Sequence, residues 1–411
     1  MKKLNILMVT ADFFPDTYGG VERCVYELSR GLAERGHHVT VVARRVRPEL
    51  PCYEEMRGFR VYRFPMLGRP LPLFHVTEAV GAWCAAREAM RQSAFDLVHV
   101  HEALPGSLVS PRADRLGIPL VYTLHAPWGE EWRGAFLSRR PVFGRPPLDL
   151  VSAAFAAYLR SIEQRSLRRA LRVVILSNFT RDILLRDYSV PAEKLVRIAG
   201  GVDIERFKPH PDRRALRRGL GLEESAIVLL TVRRFVPRMG IENLLEAVAL
   251  LRPRFAQVRL LVGGVGGLRA RLEALAAEKG LGDAVTFLGA IPDEELPAYY
   301  QAADLFVLPT LALEGFGLAT LEALACGTPV VGTPAGATPE ILSPLEPRLV
   351  AAGVSAEAIA EAVRRAIEDH LLEADMRERC RAHVERNYPW NLCVERHETL
   401  YHQCLGLAQR L

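Results

Sequence analysis

Two carboxylates eight positions apart, Glu314 and Glu322, bracket the segment Glu314-Gly315-Phe316-Gly317-Leu318-Ala319-Thr320-Leu321-Glu322, where a glycine-rich turn runs into a helical pattern. A helix beginning near Gly317 presents free backbone N–H groups and the positive end of its dipole to an anion, and the flanking glycines let a phosphate approach the chain. The anion expected here is a nucleotide diphosphate. Leu318, Leu321, Leu324 and Ala325 form the apolar stripe of this helix, and Glu322 lies on or beside it, where a carboxylate needs partners. Vicinal ribose hydroxyls both donate to one carboxylate, so Glu322 suits a ribose, while Glu314, in the turn, suits the hydroxyls of an attached sugar. A capping turn followed by a surface glutamate is the plainer alternative.

The elements that must position these groups are bounded by composition. The 411 residues exceed one small core, and a hydrophobic content of 49% suffices to bury two. Seven cysteines, at positions 24, 52, 84, 326, 380, 393 and 404, are odd in number, scattered and without paired metal spacing; they read as reduced, mostly packed thiols of a cytoplasmic enzyme. Lys2 and Lys3 precede an apolar run over 4–9, but Asp12 follows too soon for a signal-peptide core, and no apolar run reaches membrane-spanning length. Residues 4–9 therefore read as a buried first strand. Charge divides unevenly, +8 over residues 1–207 and −3 over the remainder. A basic first half suits an anionic acceptor or peripheral contact with the inner membrane face. Arg139, Arg140 and Arg145, interleaved with Phe136, Leu137, Val142 and Phe143, are the local candidate for that contact, with a solvated arginine-rich loop as the alternative. Nucleic acid is not an expected partner, because the basic residues are dispersed and no recognised module occurs.

Short β-rich runs alternate with helical patterns, as in parallel sheets covered on both faces, which gives an α/β fold class. One series of strands is expected at 5–9, 39–43, 59–64, 96–100, 120–124 and 172–176, and a second at 226–232, 258–262, 285–288, 304–308, 329–331 and 348–350. The polar, turn-forming stretch 201–209 between them reads as the interdomain connection. If the two sheets face each other, ligands are expected outside the carboxyl ends of the strands. His99 and His101 share one face of a strand by its two-residue period, with His101 nearer the strand's end.

The segment 309–336, which contains both glutamates and continues through Cys326-Gly327-Thr328-Pro329 to Gly336, resembles the donor-site block of the retaining glycosyltransferases of family 4. The resemblance runs along nearly the whole chain. It implies the GT-B fold, two facing Rossmann-like domains with parallel sheets: an acceptor domain over 1–206, completed by a crossover helix over 388–411, and a nucleotide-sugar donor domain over 207–387. Gly201-Val202-Asp203 resembles the family's hinge entry, with Gly200 in place of asparagine.

Residues of the family's motifs carry over one by one. The stretch Arg233-Arg234-Phe235-Val236-Pro237-Arg238-Met239-Gly240 resembles its Gly-Arg-Leu-x-x-x-Lys-Gly phosphate motif, so Arg234 is expected to hold the diphosphate through paired hydrogen bonds. Met239 replaces the lysine and Arg233 the glycine. Arg233 or Arg238 compensates on this reading, or turnover is weak. Tyr18-Gly19-Gly20-Val21 resembles the first-domain glycine loop, and a plain strand-to-helix turn is the competing reading. His125, at the end of the strand over 120–124, occupies the position that in the family faces the transferred sugar; His101 is the acceptor-side candidate. Gly264 and Ala290 are expected to contact the nucleotide-sugar; the turn around Gly264 lacks the third glycine of a dinucleotide fingerprint, because Arg269 stands there. Ser177 or Asn178 is expected to cap the following helix.

No Asp-x-Asp occurs in the chain, so neither a metal nor another cofactor is expected. The implied reaction is retaining transfer of a hexosyl group from a nucleotide-diphosphate sugar, UDP-linked by family preference, to a hydroxyl of a glycan or lipid-linked acceptor. Glu314, His125 and Arg234 are the catalytic candidates; Gly19, Gly20, Arg238, Gly264, Ala290, Gly315, Phe316, Gly317, Leu318 and Glu322 complete the donor-binding set. A mannosyltransferase using GDP-mannose, a nucleotide-sugar-binding protein with little turnover and a Rossmann oxidoreductase are the alternatives.

Overall fold

A computed structural model describes residues 2–66, 73–129 and 146–408. The described residues fall into two compact units, one running up to Gly201 and resuming at Trp390, the other spanning Val202–Pro389. The arginine-rich candidate for membrane contact, at positions 139, 140 and 145, lies outside the described residues.

In the first unit β1 (Asn5–Val9), β2 (His38–Arg44), β3 (Tyr53–Met56), β4 (Phe59–Phe64), β5 (Leu97–Val100), β6 (Leu120–Leu124), β7 (Arg172–Ile175) and β8 (Leu195–Arg197) form one sheet in the order β3-β4-β2-β1-β5-β6-β7-β8. All its ladders are parallel except β3–β4. The central strands read as unbroken apolar runs because helices cover both faces: Ile6, Leu7, Met8 and Val9 are all fully buried. Two strands escape the hydrophobic pattern. β3 is an edge strand carrying Glu54 and Glu55, joined to β4 by a two-residue hairpin whose central residues, Arg57 (φ 48°) and Gly58 (φ 85°), both take left-handed conformations. β8 is three residues long at the other edge.

The helix Trp390–Ala408 packs within this first unit against the helix Gly20–Glu34. Gly31 is required at the crossing, since a Cβ there would stand 2.5 Å from Val394 Cγ2. Glu398 accepts from Arg35 Nε at 2.6 Å and bonds the buried ring of His37 at 3.0 Å.

The second unit carries β9 (Ile227–Val232), β10 (Val258–Gly263), β11 (Val285–Gly289), β12 (Leu305–Leu308) and β13 (Val330–Gly332), all parallel, in the order β11-β10-β9-β12-β13. The order reverses between β9 and β12, so the carboxyl ends of these two strands frame the position where Rossmann-type sheets bind ligands. In the first sheet the reversal falls between β1 and β5.

One expected strand is corrected. Residues 348–350 do not extend the sheet: Pro347–Leu349 is a 3-10 turn, and Val350 makes only an isolated bridge to Gly332. Pro347 fixes φ at the start of that turn, and the Glu346 side chain accepts from Arg348 N–H, satisfying the donor that a ladder would have used.

Candidate donor site

The two strand ends at the second unit's reversal are tied together by one side-chain cluster. Arg233, the first residue after β9, donates from Nη2 to Thr310 Oγ1 at 2.9 Å and to the carboxylate of Glu314; Thr310 Oγ1 donates to the same Glu314 oxygen at 2.9 Å. Thr310 follows β12 by two residues and is fully buried, and its carbonyl accepts from Thr333 beyond β13. The ends of β9 and β12 thus converge on Glu314, whose side chain is only 11% exposed, and the end of β13 supports Thr310. A neutral isostere would leave the guanidinium unpaired in a dry setting, which fixes why a carboxylate stands here.

The backbone around Glu314 is held as tightly. Leu313 adopts φ 58°, a left-handed conformation costly for a leucine, and Gly336 (φ 62°) packs so close that a Cβ would meet Glu314 O at 2.1 Å. Ala337 N–H donates to Glu314 O at 2.8 Å. Gly317, at φ 96°, is the N-cap of the helix Leu318–Ala325 and has no side chain of its own to cap that end. The turn Gly315-Phe316-Gly317 therefore delivers Glu314 beside an open helix N-terminus: a Cβ on Gly317 would lie 3.7 Å from Glu314 Cγ. Phe316 anchors the turn from behind, edge-on to Tyr388 at 6.1 Å. Leu321, Leu324 and Ala325 bury the helix face, whereas Leu318, in its first turn, stays partly exposed.

Glu322, one turn further, belongs to a second cluster. The buried Tyr300 hydroxyl donates to its Oε2 at 2.9 Å, and burial followed by the Glu322 charge holds the Tyr300 phenol well above its ordinary range. The two glutamates are thus oriented by different partners, and only Glu314 lies at the strand reversal.

The arginine-rich turn after β9 divides its residues. Arg234 is exposed, without a side-chain hydrogen bond or ion pair among the described residues. Arg238 is half-buried and reaches Leu313 O at 3.4 Å, while Leu311 N–H donates to Arg238 O at 2.8 Å. Met239 is buried, its sulfur 2.9 Å from Arg233 Nη2. Gly264 (φ 131°) has a packing reason: a Cβ would meet Arg233 O at 1.9 Å, so this glycine shapes the backbone that carries Arg233. Ala290, just past β11, is exposed.

In the first unit a row of imidazoles ends at the carboxyl edge of β5 and β6. His101 Nδ1 and His125 Nε2 are 3.2 Å apart, the His99 and His101 rings lie tilted with centroids 4.1 Å apart, and His99 bonds Tyr401 and Thr123, each at 2.7 Å. Burial pushes His125 down to about 3 and His101 well below the ordinary imidazole range, so both rings are neutral near pH 7. Beside them, at the reversal between β1 and β5, Glu102 accepts from Ala11 N–H at 2.5 Å and Thr10 Oγ1 at 2.9 Å. Its pKa is nevertheless raised to about 7, chiefly by burial. Gly19, with φ −176°, and Gly20 begin the helix Gly20–Glu34 exposed and without a side-chain cap. Asp16, three residues earlier, anchors that loop through a buried ion pair with Arg63 Nε at 2.6 Å. Ser177 caps its helix, accepting from Thr180 N–H at 3.2 Å.

Thr310, Tyr300, Leu313 and Glu102 did not stand out in the sequence, and Arg233 stood there only as a replacement for a glycine. The available signal was positional: Thr310 and Glu314 are one helical turn apart after an apolar strand, and Arg233 begins the loop after another.

Both halves match known families. Residues 18–206 match the model described as Glycosyltransferase Family 4, and residues 212–383 the model described as Glycosyl transferases group 1. A D-inositol 3-phosphate glycosyltransferase of Acidothermus cellulolyticus is 31% identical over 395 residues, covering 92% of this chain and 84% of its own. A GDP-mannose-dependent alpha-(1-6)-phosphatidylinositol monomannoside mannosyltransferase of Mycolicibacterium smegmatis is 30% identical over 402 residues, covering 94% and 95%. Among solved structures, sucrose-phosphate synthase from Thermosynechococcus elongatus superposes with a TM-score of 0.83 at 26% identity, over 98% of this chain and all of that one. Two units built on largely parallel sheets, together with these matches, make the chain a glycosyltransferase of the GT-B class. The chain belongs to glycosyltransferase family 4.

Proposed function

We propose that this enzyme transfers a hexosyl group, with retention of configuration, from a nucleotide-diphosphate sugar to a hydroxyl of a glycan or lipid-linked acceptor. The observation that carries this reading is the placement of Glu314, clamped by Arg233 and Thr310, beside the open N-terminus of Leu318–Ala325. On this reading the diphosphate lies against that helix end and the exposed Arg234, Glu314 accepts from hydroxyls of the transferred sugar, and Glu322, held by Tyr300, accepts from the ribose. Gly264, Ala290 and the half-buried Arg238 border the nucleotide. As the bond between the anomeric carbon and the diphosphate oxygen breaks, its electron pair stays on the diphosphate. The acceptor oxygen forms the new bond, and its proton passes to the released diphosphate. In the first unit the neutral His125 is the candidate for the transferred sugar and His101, 3.2 Å from it, the candidate for the acceptor, and the unit's basic character suits an anionic acceptor at a membrane surface. Among the described residues no helix is long and apolar enough to cross a membrane.

A UDP-hexose is the preferred donor on this reading. GDP-mannose is the second, favoured by the mannosyltransferase relative that spans nearly the full length of both chains. Calorimetric titration with UDP and GDP, followed by nucleoside-diphosphate release from UDP-glucose and GDP-mannose with candidate acceptors, separates the two. Binding of nucleoside diphosphates without release in any pairing would leave a binding protein, and no binding at all would remove the donor site. Glu314→Gln is expected to lower kcat/KM about 100-fold, the loss typical of one preorganised polar group at a reacting centre.

A further inference from the structure

We propose that Arg233, and not position 239, supplies the cation that joins Arg234 at the leaving diphosphate, with Thr310 and Glu314 holding its guanidinium in place. The inference rests on the donor reading above. Three observations carry it.

The first is location. Arg233 stands at the strand reversal of its sheet, its head bonded to the carboxylate that borders the open helix N-terminus. A guanidinium, a carboxylate and a helix end thus share one patch, and an anion arriving at the helix end meets the guanidinium with it. The second is an unmet donor. The Arg233 side chain is only 9% exposed, Nη2 serves Glu314 and Thr310, and Nε is buried with no partner among the described residues. The Nε atoms of Arg217 and Arg365, among others, share that state, but Arg233 carries its unmet donor beside Glu314 at the strand reversal, where it has capacity for a ligand oxygen. The third is the neighbour. Arg233 Nη2 lies 2.9 Å from the sulfur of Met239, so the guanidinium occupies the space at the tip of that side chain. A lysine at 239 would bring a second positive charge against a buried guanidinium; a neutral, pliable thioether fits there. The arginine at 233 and the methionine at 239 are therefore one arrangement, in which the cation that accompanies Arg234 comes from the end of β9 instead of from the following turn.

The test is calorimetric titration of UDP, GDP and the corresponding nucleoside monophosphates into the full chain and three variants, with turnover measured in parallel. Arg233→Gly is expected to bind the nucleoside diphosphate about tenfold to a hundredfold more weakly, the range for one charge-assisted contact, while the monophosphate loses much less. Met239→Lys alone is expected to weaken diphosphate binding, because two cations then compete for one space. The double variant Arg233→Gly/Met239→Lys restores one cation and is expected to recover most of the lost affinity and kcat. Equal diphosphate binding by Arg233→Gly and the unmodified protein overturns the role of Arg233 while leaving the donor reading intact. Tighter binding by Met239→Lys also overturns it, and this holds even if Arg233→Gly does not fold. Absence of nucleoside-diphosphate binding by the unmodified protein overturns the donor reading itself and this assignment with it.

Discussion

Glu78 shows how burial sets the behaviour of a single side chain. It is 3% exposed in the helix Leu73–Gln92, and burial, followed by repulsion from Glu102, raises its pKa to about 8, with Asp12 adding to the effect and Arg44 opposing it. The folded chain therefore keeps a proton that the unfolded chain releases near pH 4.5, and stability falls as pH rises between about 4.5 and 8. Glu78→Gln removes that dependence. Its denaturation midpoint is expected to match the unmodified protein near pH 5 and to exceed it at pH 9 by an amount on the order of a few kcal/mol. Glu102, raised to about 7, titrates in both proteins, and the difference between the two curves reads Glu78 together with its repulsion from Glu102. Equal midpoints at both pH values would refute the assignment. Glu314 differs in kind: an arginine and a threonine meet its carboxylate, whereas none of the described residues bonds that of Glu78.

Among elements, the loops after β9 and β10 depend on each other. Gly264 N–H donates to Gly289 O at 2.7 Å, and its α-carbon abuts the carbonyl of Arg233, so the glycine turn forms the floor under the arginine turn. Gly264→Ala combines a left-handed φ with a contact of 1.9 Å to backbone. It is expected to destabilise the chain by about 2–4 kcal/mol in urea titration and to weaken nucleoside-diphosphate binding through displacement of Arg233. Unchanged stability would mean that the loop is free to shift. The same loop read in sequence as a candidate nucleotide contact, because glycine spacing cannot separate approach by a ligand from approach by the chain's own backbone.

At the scale of the whole molecule, the helix Trp390–Ala408 returns to the first unit and closes over His37 and His99 through Glu398 and Tyr401. Glu398→Gln keeps the shape but loses the charge-assisted bonds to Arg35 and His37. A loss of about 1–2 kcal/mol is expected, read as a lowered melting temperature of the first unit. No change would show that the close packing at Gly31 and Val394 and the Tyr401–His99 bond secure the helix without Glu398.

The sequence by itself determined which runs become central strands, because strands buried on both faces must be continuously apolar: 5–9 and 120–124 coincide with β1 and β6. Its glycines and the two glutamates marked the turn proposed to meet the donor, and the chain's family membership was legible from the same block. Edge strands such as β3 and β8 were hidden, since exposure lets charged residues into them, and 348–350 was misread because proline and a capping glutamate override a short apolar run. Only the tertiary structure decided what each site residue touches. Glu314 meets Arg233, which lies 81 positions away, and Glu322 meets Tyr300 instead of sharing its neighbour's cluster. Parallel strand order brings together the ends of segments far apart in the chain, and no local pattern of residue types records which ends those will be.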